Sequence, residues 1–329
     1  MKSGIKNWYG NLYFLPAKPS LLARLLYNYI RTAITGDACL RVVTVALSYE
    51  CQFFCDHCSA NDLRLKKQKE ACLTLDDFAR LFREAERCGS INIHFTGGEP
   101  LLYKNLYTVA SLVNGSRNII SFATNGLLLS SEARKLKKAK FDLAIVSIDS
   151  PYADIHDALR NYKGAYREAW EGVDAALDAG LKVMVAMVAT PLNLHNGEID
   201  EQIRLCRRRK IPLQLLPARN VGKWENKEEV TLSEKDWQTF YRYVSEPDVR
   251  WDGRSSYFSA RCLAGCQRLY IDPTGDVFPC DFIQQSFGNI REESIMDIRK
   301  LILKSEPFNH TSANCLSAFN PQHTEQREC

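Results

Sequence analysis

No stretch of the 329-residue sequence approaches the ~18 apolar residues that a membrane-spanning helix needs, so no transmembrane segment is expected. Charge of one sign is also scarce, because 43 Lys and Arg against 39 Asp and Glu leave a net charge of only +4. That balance suits contact with an anionic small molecule and falls short of the surplus of a nucleic-acid binder, so no nucleic-acid partner is expected. Basic runs at 64–69, 134–140 and 204–210 lie in or beside expected surface helices and read as solvated faces. Repeats and low-complexity segments are missing as well. After Lys2 and Lys6 the mixed stretch Trp8–Pro16 has no apolar run of the signal-peptide kind. A secreted disulfide framework is therefore not expected, and the reducing cytosol is the expected compartment.

The chain does have apolar material, at 45% of its residues, enough for one large domain or for one domain with an appendage. Leu21, Leu22, Leu25, Leu26, Tyr29 and Ile30 would make one stripe on an N-terminal amphipathic helix. Packing of that stripe on the main domain is the favoured reading, with association to a membrane or partner surface as the alternative. From Val42 to Pro217 short β-branched runs alternate with helical stretches, and the runs are apolar enough to be buried on both faces, as in a parallel sheet. The expected strands are Val42–Ser48, Ile91–Thr96, Ile119–Thr124, Leu143–Ile148, Lys182–Ala189 and Ile211–Leu216. Thr74 and Ser130 are expected helix caps, Ala165–Ala179 an expected helix ended by Gly180, and Thr231 or Ser233 the cap of a later one. Six strand–helix units are too few for a closed eight-stranded barrel, so the fold class is α/β, a partial (β/α)6 TIM-like barrel or an open doubly wound sheet. Four segments follow: an N-terminal extension at 1–40, a core at 41–218, a helical linker at 219–259 and a small C-terminal domain with a β-hairpin at 260–329.

Such a fold places its chemistry just beyond the C-terminal ends of the strands. Each expected strand runs into polar or turn-forming residues there. Strand one leads into Cys51, Cys55 and Cys58, spaced Cys-x3-Cys-x2-Cys. Three thiolates on a short loop can hold three corners of a four-iron, four-sulfur cubane and leave the fourth iron open. A closed zinc site would want four ligands, and no second Cys or His pair follows nearby. Strand two leads into Gly97-Gly98-Glu99-Pro100, where the glycines let backbone approach a ligand and Glu99 offers an acceptor suited to an ammonium group.

The cysteine loop, followed by Gly97-Gly98-Glu99-Pro100, Thr124-Asn125-Gly126, Ser147-Ile148-Asp149 and the run His156-Asp157 to Arg160 and Gly164, resembles the radical S-adenosylmethionine (radical SAM) superfamily over most of residues 42–220. The resemblance implies that SAM chelates the open iron through its amino and carboxylate groups. Reductive cleavage then gives a 5′-deoxyadenosyl radical that abstracts hydrogen from a biosynthetic intermediate, a small molecule or a peptide. An external one-electron reductant of the flavodoxin or ferredoxin type is implied too. His57 resembles the position that packs near adenine in relatives. Ser147, Asp149 and Asn193 are ribose or carboxylate contacts or, equally, helix caps, and Asn125 belongs to the same cofactor-binding rim.

Near the other end Cys262, Cys266 and Cys280 flank Pro273-Thr274-Gly275, a hairpin turn signal. This segment resembles the auxiliary-cluster region of SPASM and twitch-type radical SAM enzymes, and implies a second four-iron, four-sulfur cluster for electron transfer or substrate binding. Its fourth ligand is Cys315, Cys329 or none, because too few cysteines follow for a further cluster. Asp281 occupies the place of a general base in some peptide-oxidising relatives, with loop hydrogen bonding as the favoured reading. Tyr257, Tyr270, Arg219 and His94 are weaker candidates, His94 being expected to fill the barrel interior. Cys39, Cys72, Cys88 and Cys206 read as ordinary buried thiols. The reading from another class is a non-catalytic metal-binding scaffold that keeps the fold.

Overall fold

The computed structural model describes residues 18–36, 38–58, 60, 72–219, 221–224, 227–251, 253, 262–283, 285–309 and 316. Tyr257, Cys315 and Cys329 lie outside them. The six expected strands form as β1 (Val42–Ala46), β2 (Asn92–Thr96), β3 (Ile119–Thr124), β4 (Leu143–Ser147), β5 (Lys182–Ala189) and β6 (Leu213–Pro217), each parallel to the next. Between them run α2 (Leu75–Arg87), α3 (Leu106–Ser111), α4 (Leu129–Lys138), α5 (Ala153–Arg160), α6 (Ala165–Asp178) and α7 (Glu198–Arg208). The result is a partial (β/α)6 barrel.

Local chemistry explains several helix boundaries. Thr74 and Asp77 form a reciprocal capping box at α2, and Ser233 with Asp236 does the same for α8 (Glu234–Val244). Gly180 follows α6 with φ 78°. Ser130, an expected cap, lies inside α4 instead, because the chain turns at Gly126 and the Leu129 amide already donates to the Gly126 carbonyl.

The strands are not buried alike on both faces. In β2 and β4 the residues alternate, with Ile93, Phe95, Ala144 and Val146 buried and Asn92, His94, Thr96, Leu143, Ile145 and Ser147 only half-buried. One face packs under the helices, where the Phe122 and Phe141 rings meet edge to face at 5.3 Å. The other lines an interior cavity, which a closed, side-chain-filled barrel would not have.

The C-terminal segment continues this sheet. Strand β8 (Arg268–Ile271) pairs in parallel with β1, β9 (Val277–Phe278) pairs antiparallel with β8, and β7 (Val249–Arg250) extends β6 at the far edge. The order is β7-β6-β5-β4-β3-β2-β1-β8-β9, so the sheet does not close. Without β8, β1 would expose a full row of backbone donors and acceptors. Ile271, Val277 and the buried residues of α9 (Ile295–Lys304) share one apolar core with β1–β6, so the boundary expected near 260 separates motifs rather than folded bodies.

Helix α1 (Pro19–Thr35) crosses the opposite, N-terminal ends of the strands. Leu21 and Leu25 pack on Ile91 and Ile119. Asn28 Nδ2 donates to the Gly89 carbonyl at 2.7 Å, and Lys18 Nζ donates to the Asn118 carbonyl at 2.7 Å while pairing with Asp142.

Candidate active site

Two adjoining cavities occupy the barrel and its C-terminal rim. The smaller, about 230 Å³, is lined by Cys51, Cys55 and Cys58 together with Gly97, Gly98, Asn125, Ser147, Asp149, Arg160 and Trp224. The larger, about 640 Å³, runs down the interior past His94, Ile145, Met184 and Tyr270, and reaches Cys280 and Asp281. Thr96, Gly97, Ser147, Leu216 and Phe282 line both, so the two are contiguous.

The cysteine loop is held by its neighbours. Asn125 Nδ2 donates to Gln52 Oε1 at 3.3 Å and approaches Cys51 Sγ at 3.7 Å, while the Asp56 amide donates to the Leu159 carbonyl. Gly97 and Gly98 make this fit possible in a way the motif does not announce. A Cβ on either would stand 2.2 Å from the Ser48 carbonyl oxygen or 2.1 Å from that of Glu50, so the close approach is to the chain's own backbone entering the loop. The Gly98 and Glu99 amides donate to those same two carbonyls.

Glu99 has a different surrounding from the one its motif implies. It does not line either cavity; its carboxylate turns inward and accepts from the Asn125 amide at 2.8 Å, Thr124 Oγ1 at 2.9 Å and the Leu101 amide at 3.1 Å. Burial pushes its pKa up to about 7 against the lowering effect of those donors. Replacing Glu99 with Ala should therefore cost about 1–3 kcal/mol of stability by leaving buried donors without an acceptor, and Glu99→Gln, which keeps one oxygen, should cost less. Urea denaturation of both variants checks the ranking. Asn193 is likewise engaged in its own loop, its Oδ1 accepting from the Thr190 amide and its Nδ2 donating to the Val188 carbonyl, both at 2.8 Å. It lines neither cavity.

Asp149 is the centre of a buried charged group. It pairs with Arg160 Nη2 at 2.5 Å, lies 3.4 Å from His57 Nε2, and its backbone amide donates to His156 Nδ1 at 3.1 Å. Burial alone would raise its pKa, but Arg160, then His57 and His156, hold it down at about 2. Arg160 Nη1 also donates to Cys55 Sγ at 3.6 Å, and burial, opposed by that guanidinium, pushes the Cys55 thiol up to about 11. Metal binding there must displace the proton.

His156 is fully buried, and burial, reinforced by Arg160, lowers its pKa from 6.5 to about 4. Between those values the unfolded chain holds a proton that the folded chain lacks, so the contribution is complete above pH 6.5 and is lost as pH falls towards 4. The loss between pH 7 and 5 is about 2 kcal/mol. His156→Gln keeps an acceptor for the Asp149 amide and should flatten this acid limb in urea titrations at the two pH values.

Trp224 and Arg160 are the site residues that sequence reasoning left out of its candidate set. Trp224 tilts over His57 with ring centroids 5.2 Å apart. Its signal was a lone Trp within the polar stretch after Arg219; Arg160 was visible only as part of a motif. Arg219 itself lies over the Phe282 ring at 5.5 Å and lines the smaller cavity. His94 lines the larger one, with Nδ1 2.9 Å from Ser121 Oγ.

Backbone pairing links the two ends of the second cysteine segment: the Gly265 amide donates to the Pro279 carbonyl at 2.8 Å, one residue before Cys266 and Cys280 respectively. The hairpin turn is tied by Asp272 Oδ1, which accepts from the Thr274 amide, Thr274 Oγ1 and the Asp276 amide. Cys280 and Asp281 both line the larger cavity. Of the other cysteines, Cys39 and Cys206 are buried and Cys88 half-buried, whereas Cys72 is exposed because it precedes the cap of α2 rather than lying on a packed helical face.

The donor set fits a cluster better than a single ion. Cys51, Cys55 and Cys58, none of them in a disulfide, line the same cavity as Gly97 and Gly98 and offer three thiols for three corners of a cubane.

Comparison with known proteins agrees with this geometry. Residues 45–207 match the radical SAM superfamily, and residues 262–329 match an iron–sulfur cluster-binding domain of the SPASM type. The PqqA peptide cyclase of Rhizobium meliloti (strain 1021) is 28% identical over 272 residues, covering 77% of this chain and 71% of that protein. The GTP 3′,8-cyclase of Desulforamulus reducens (strain ATCC BAA-1160 / DSM 100696 / MI-1) is 25% identical over 316 residues, or 86% and 92% of the two chains. The crystal structure of Streptococcus suis SuiB bound to S-adenosylmethionine superposes with a TM-score of 0.63 at 16% identity, covering 85% of this chain and 67% of that one. At that identity the likeness is one of fold.

Proposed function

Because the chain belongs to the radical SAM superfamily and carries a SPASM-type cluster-binding domain, we propose that it forms its radical in the smaller cavity and spends it on a substrate lodged in the larger one. It is an enzyme that uses four-iron, four-sulfur clusters and SAM. When bound, and once reduced by an external one-electron donor, the cluster held by Cys51, Cys55 and Cys58 would supply one electron to the sulfonium of SAM, giving methionine and a 5′-deoxyadenosyl radical that takes a hydrogen atom from the substrate. The observation that carries the proposal is that the two cavities adjoin, with Thr96, Gly97, Ser147 and Leu216 lining both.

The chain's own residues take these parts in the proposal. Cys51, Cys55 and Cys58 hold the first cluster, and Cys262, Cys266 and Cys280, with Cys315 as a further ligand, hold the second. The backbone of Gly97 and Gly98 receives the amino group of SAM. Arg160, kept cationic beside Asp149, faces its carboxylate. Trp224 and His57 provide an aromatic wall for adenine, and Ser147 and Asn125 complete the rim. Asp281 follows Cys280 and lines the larger cavity, and in this reading it accepts the proton that an oxidised substrate gives up.

The substrate in this reading is a peptide side chain. The half-apolar wall of Leu143, Ile145, Met184 and Leu216 supports it, as does the likeness to a peptide cyclase. Reconstitution with iron and sulfide without oxygen, then dithionite and SAM, should release 5′-deoxyadenosine. A protein that holds both clusters and SAM yet releases none would be a scaffold. Peptides encoded beside the gene, made with deuterated side chains, should pass deuterium into the released 5′-deoxyadenosine. Unlabelled product from all of them would return the substrate to the small-molecule class.

A further inference from the structure

Helix α1 turns only one side to the barrel. Leu21, Leu25, Asn28 and Thr32 are buried, while Leu22, Leu26, Tyr27, Tyr29, Ile30 and Ile34 point outward, Tyr27 61% and Ile34 79% exposed. Among the described residues, six of the fifteen exposed large apolar side chains therefore sit on this 17-residue helix. That concentration makes a patch rather than scattered surface residues.

The charge around the patch has one sign. The first acidic residue of the chain is Asp37, although 39 acidic residues in 329 would put about four in a stretch of that length. The same 36 residues carry Lys2, Lys6, Lys18, Arg24 and Arg31. Arg87, Arg117, Lys138 and Lys140 are exposed in the helix ends and loops beside α1. Glu86 pairs with Arg117 and Asp142 with Lys18, and Arg24 donates to the Ser90 and Glu86 carbonyls, which leaves Arg31, Arg87, Lys138 and Lys140 as the exposed bases of this face.

We propose that this face docks on an anionic lipid bilayer, with the outer side chains of α1 lying in the headgroup and acyl boundary and the flanking bases on the lipid phosphates. A second copy of the chain meets only half of the requirement, because pairing α1 with itself would set Arg31 and the acid-free segment against their own charge. The cysteine loop and the smaller cavity lie at the C-terminal ends of the strands, whereas α1 packs on Ile91 and Ile119 at their N-terminal ends. The docked enzyme therefore presents its site away from the membrane, and its substrate arrives from the aqueous side. The inference rests on the fold and surface and is independent of the radical chemistry.

Sedimentation of the full-length protein with sucrose-loaded vesicles tests it. Vesicles of phosphatidylcholine with about 30 mol% phosphatidylglycerol should carry the protein down, and phosphatidylcholine alone should bind it several-fold less. The Leu26→Glu/Ile30→Glu variant should lose at least about tenfold in apparent affinity, with its iron content and circular dichroism unchanged. If that variant does not fold, Ile34→Ser, at the most exposed apolar position of the helix, replaces it and should give a smaller loss of the same sign. Arg31→Ala with Lys138→Ala should flatten the salt dependence of binding. Absence of wild-type protein from the anionic pellet, or binding that neither set of substitutions weakens, overturns the proposal. So does a wild-type dimer in light scattering that Ile30→Glu dissociates while no vesicle binding is seen, because the face would then be covered by a second copy.

Discussion

Replacing Cys51, Cys55 and Cys58 together with Ala should bring 5′-deoxyadenosine formation down to the background of free dithionite and SAM. Among the described residues no other thiol lines the smaller cavity, so no second set of sulfur ligands stands there to replace them. The second cysteine group lies on the other side of β1, its two ends linked by the Gly265–Pro279 backbone pair and not by the first loop. The triple variant should accordingly keep about four irons of the eight that two cubanes hold. Iron analysis and chromatography of the SAM products decide the matter. Full SAM cleavage by the variant would remove the first loop from the chemistry, and complete loss of iron would mean that the second group does not hold metal independently.

The second large effect concerns the ion pair behind the loop. Asp149 and Arg160 are both buried, and removal of one partner leaves the other charged and without its counter-charge in low dielectric. Asp149→Ala should cost about 3–5 kcal/mol of folding stability. The cost should be larger than for a typical point substitution, because Arg160 and His57 both lean on the same carboxylate. Arg160→Met added to Asp149→Ala removes the stranded charge and fills the space, so most of the stability should return. Activity should not return with it, since the guanidinium beside Cys55 is lost. A double-mutant cycle by chemical denaturation measures the coupling. A loss under about 1 kcal/mol in the single variant would show that water reaches the pair and that the cluster of charges is not a structural element.

Much of the barrel was legible in the residues because its signals are local. Val42-Val43-Thr44-Val45, Ile119-Ile120 and the run from Lys182 to Ala189 carry their strand character in their own side chains, and Thr74 and Ser233 carry their caps within three residues. Glu99 and Asn193 were harder. A carboxylate or amide at a strand end suits a ligand and a loop equally well, and only the path of the chain shows that Thr124, Asn125 and Leu101 reach Glu99 first. Helix α1 was read correctly as amphipathic. Which half of its apolar residues would face the barrel could not be read from a stripe wide enough to serve two surfaces.

The sequence by itself determined the chemistry: the spacing of Cys51, Cys55 and Cys58, a property of one short loop, and the six strand ends that deliver polar residues to one rim. The tertiary structure alone decided how that chemistry is housed. It brought β8 against β1 and, just beyond them, Asp272 to Tyr49, 223 positions away, and so placed Cys280 and Asp281 on the same cavity as Ser147. It also turned Arg160 and Trp224 towards the cysteine loop and left the outer face of α1 uncovered. The physical reason is range: loop spacing and strand propensity are written in neighbouring residues. Cavity walls, buried ion pairs and free surfaces depend on pairings between distant ones, which exist only once the sheet has chosen its order.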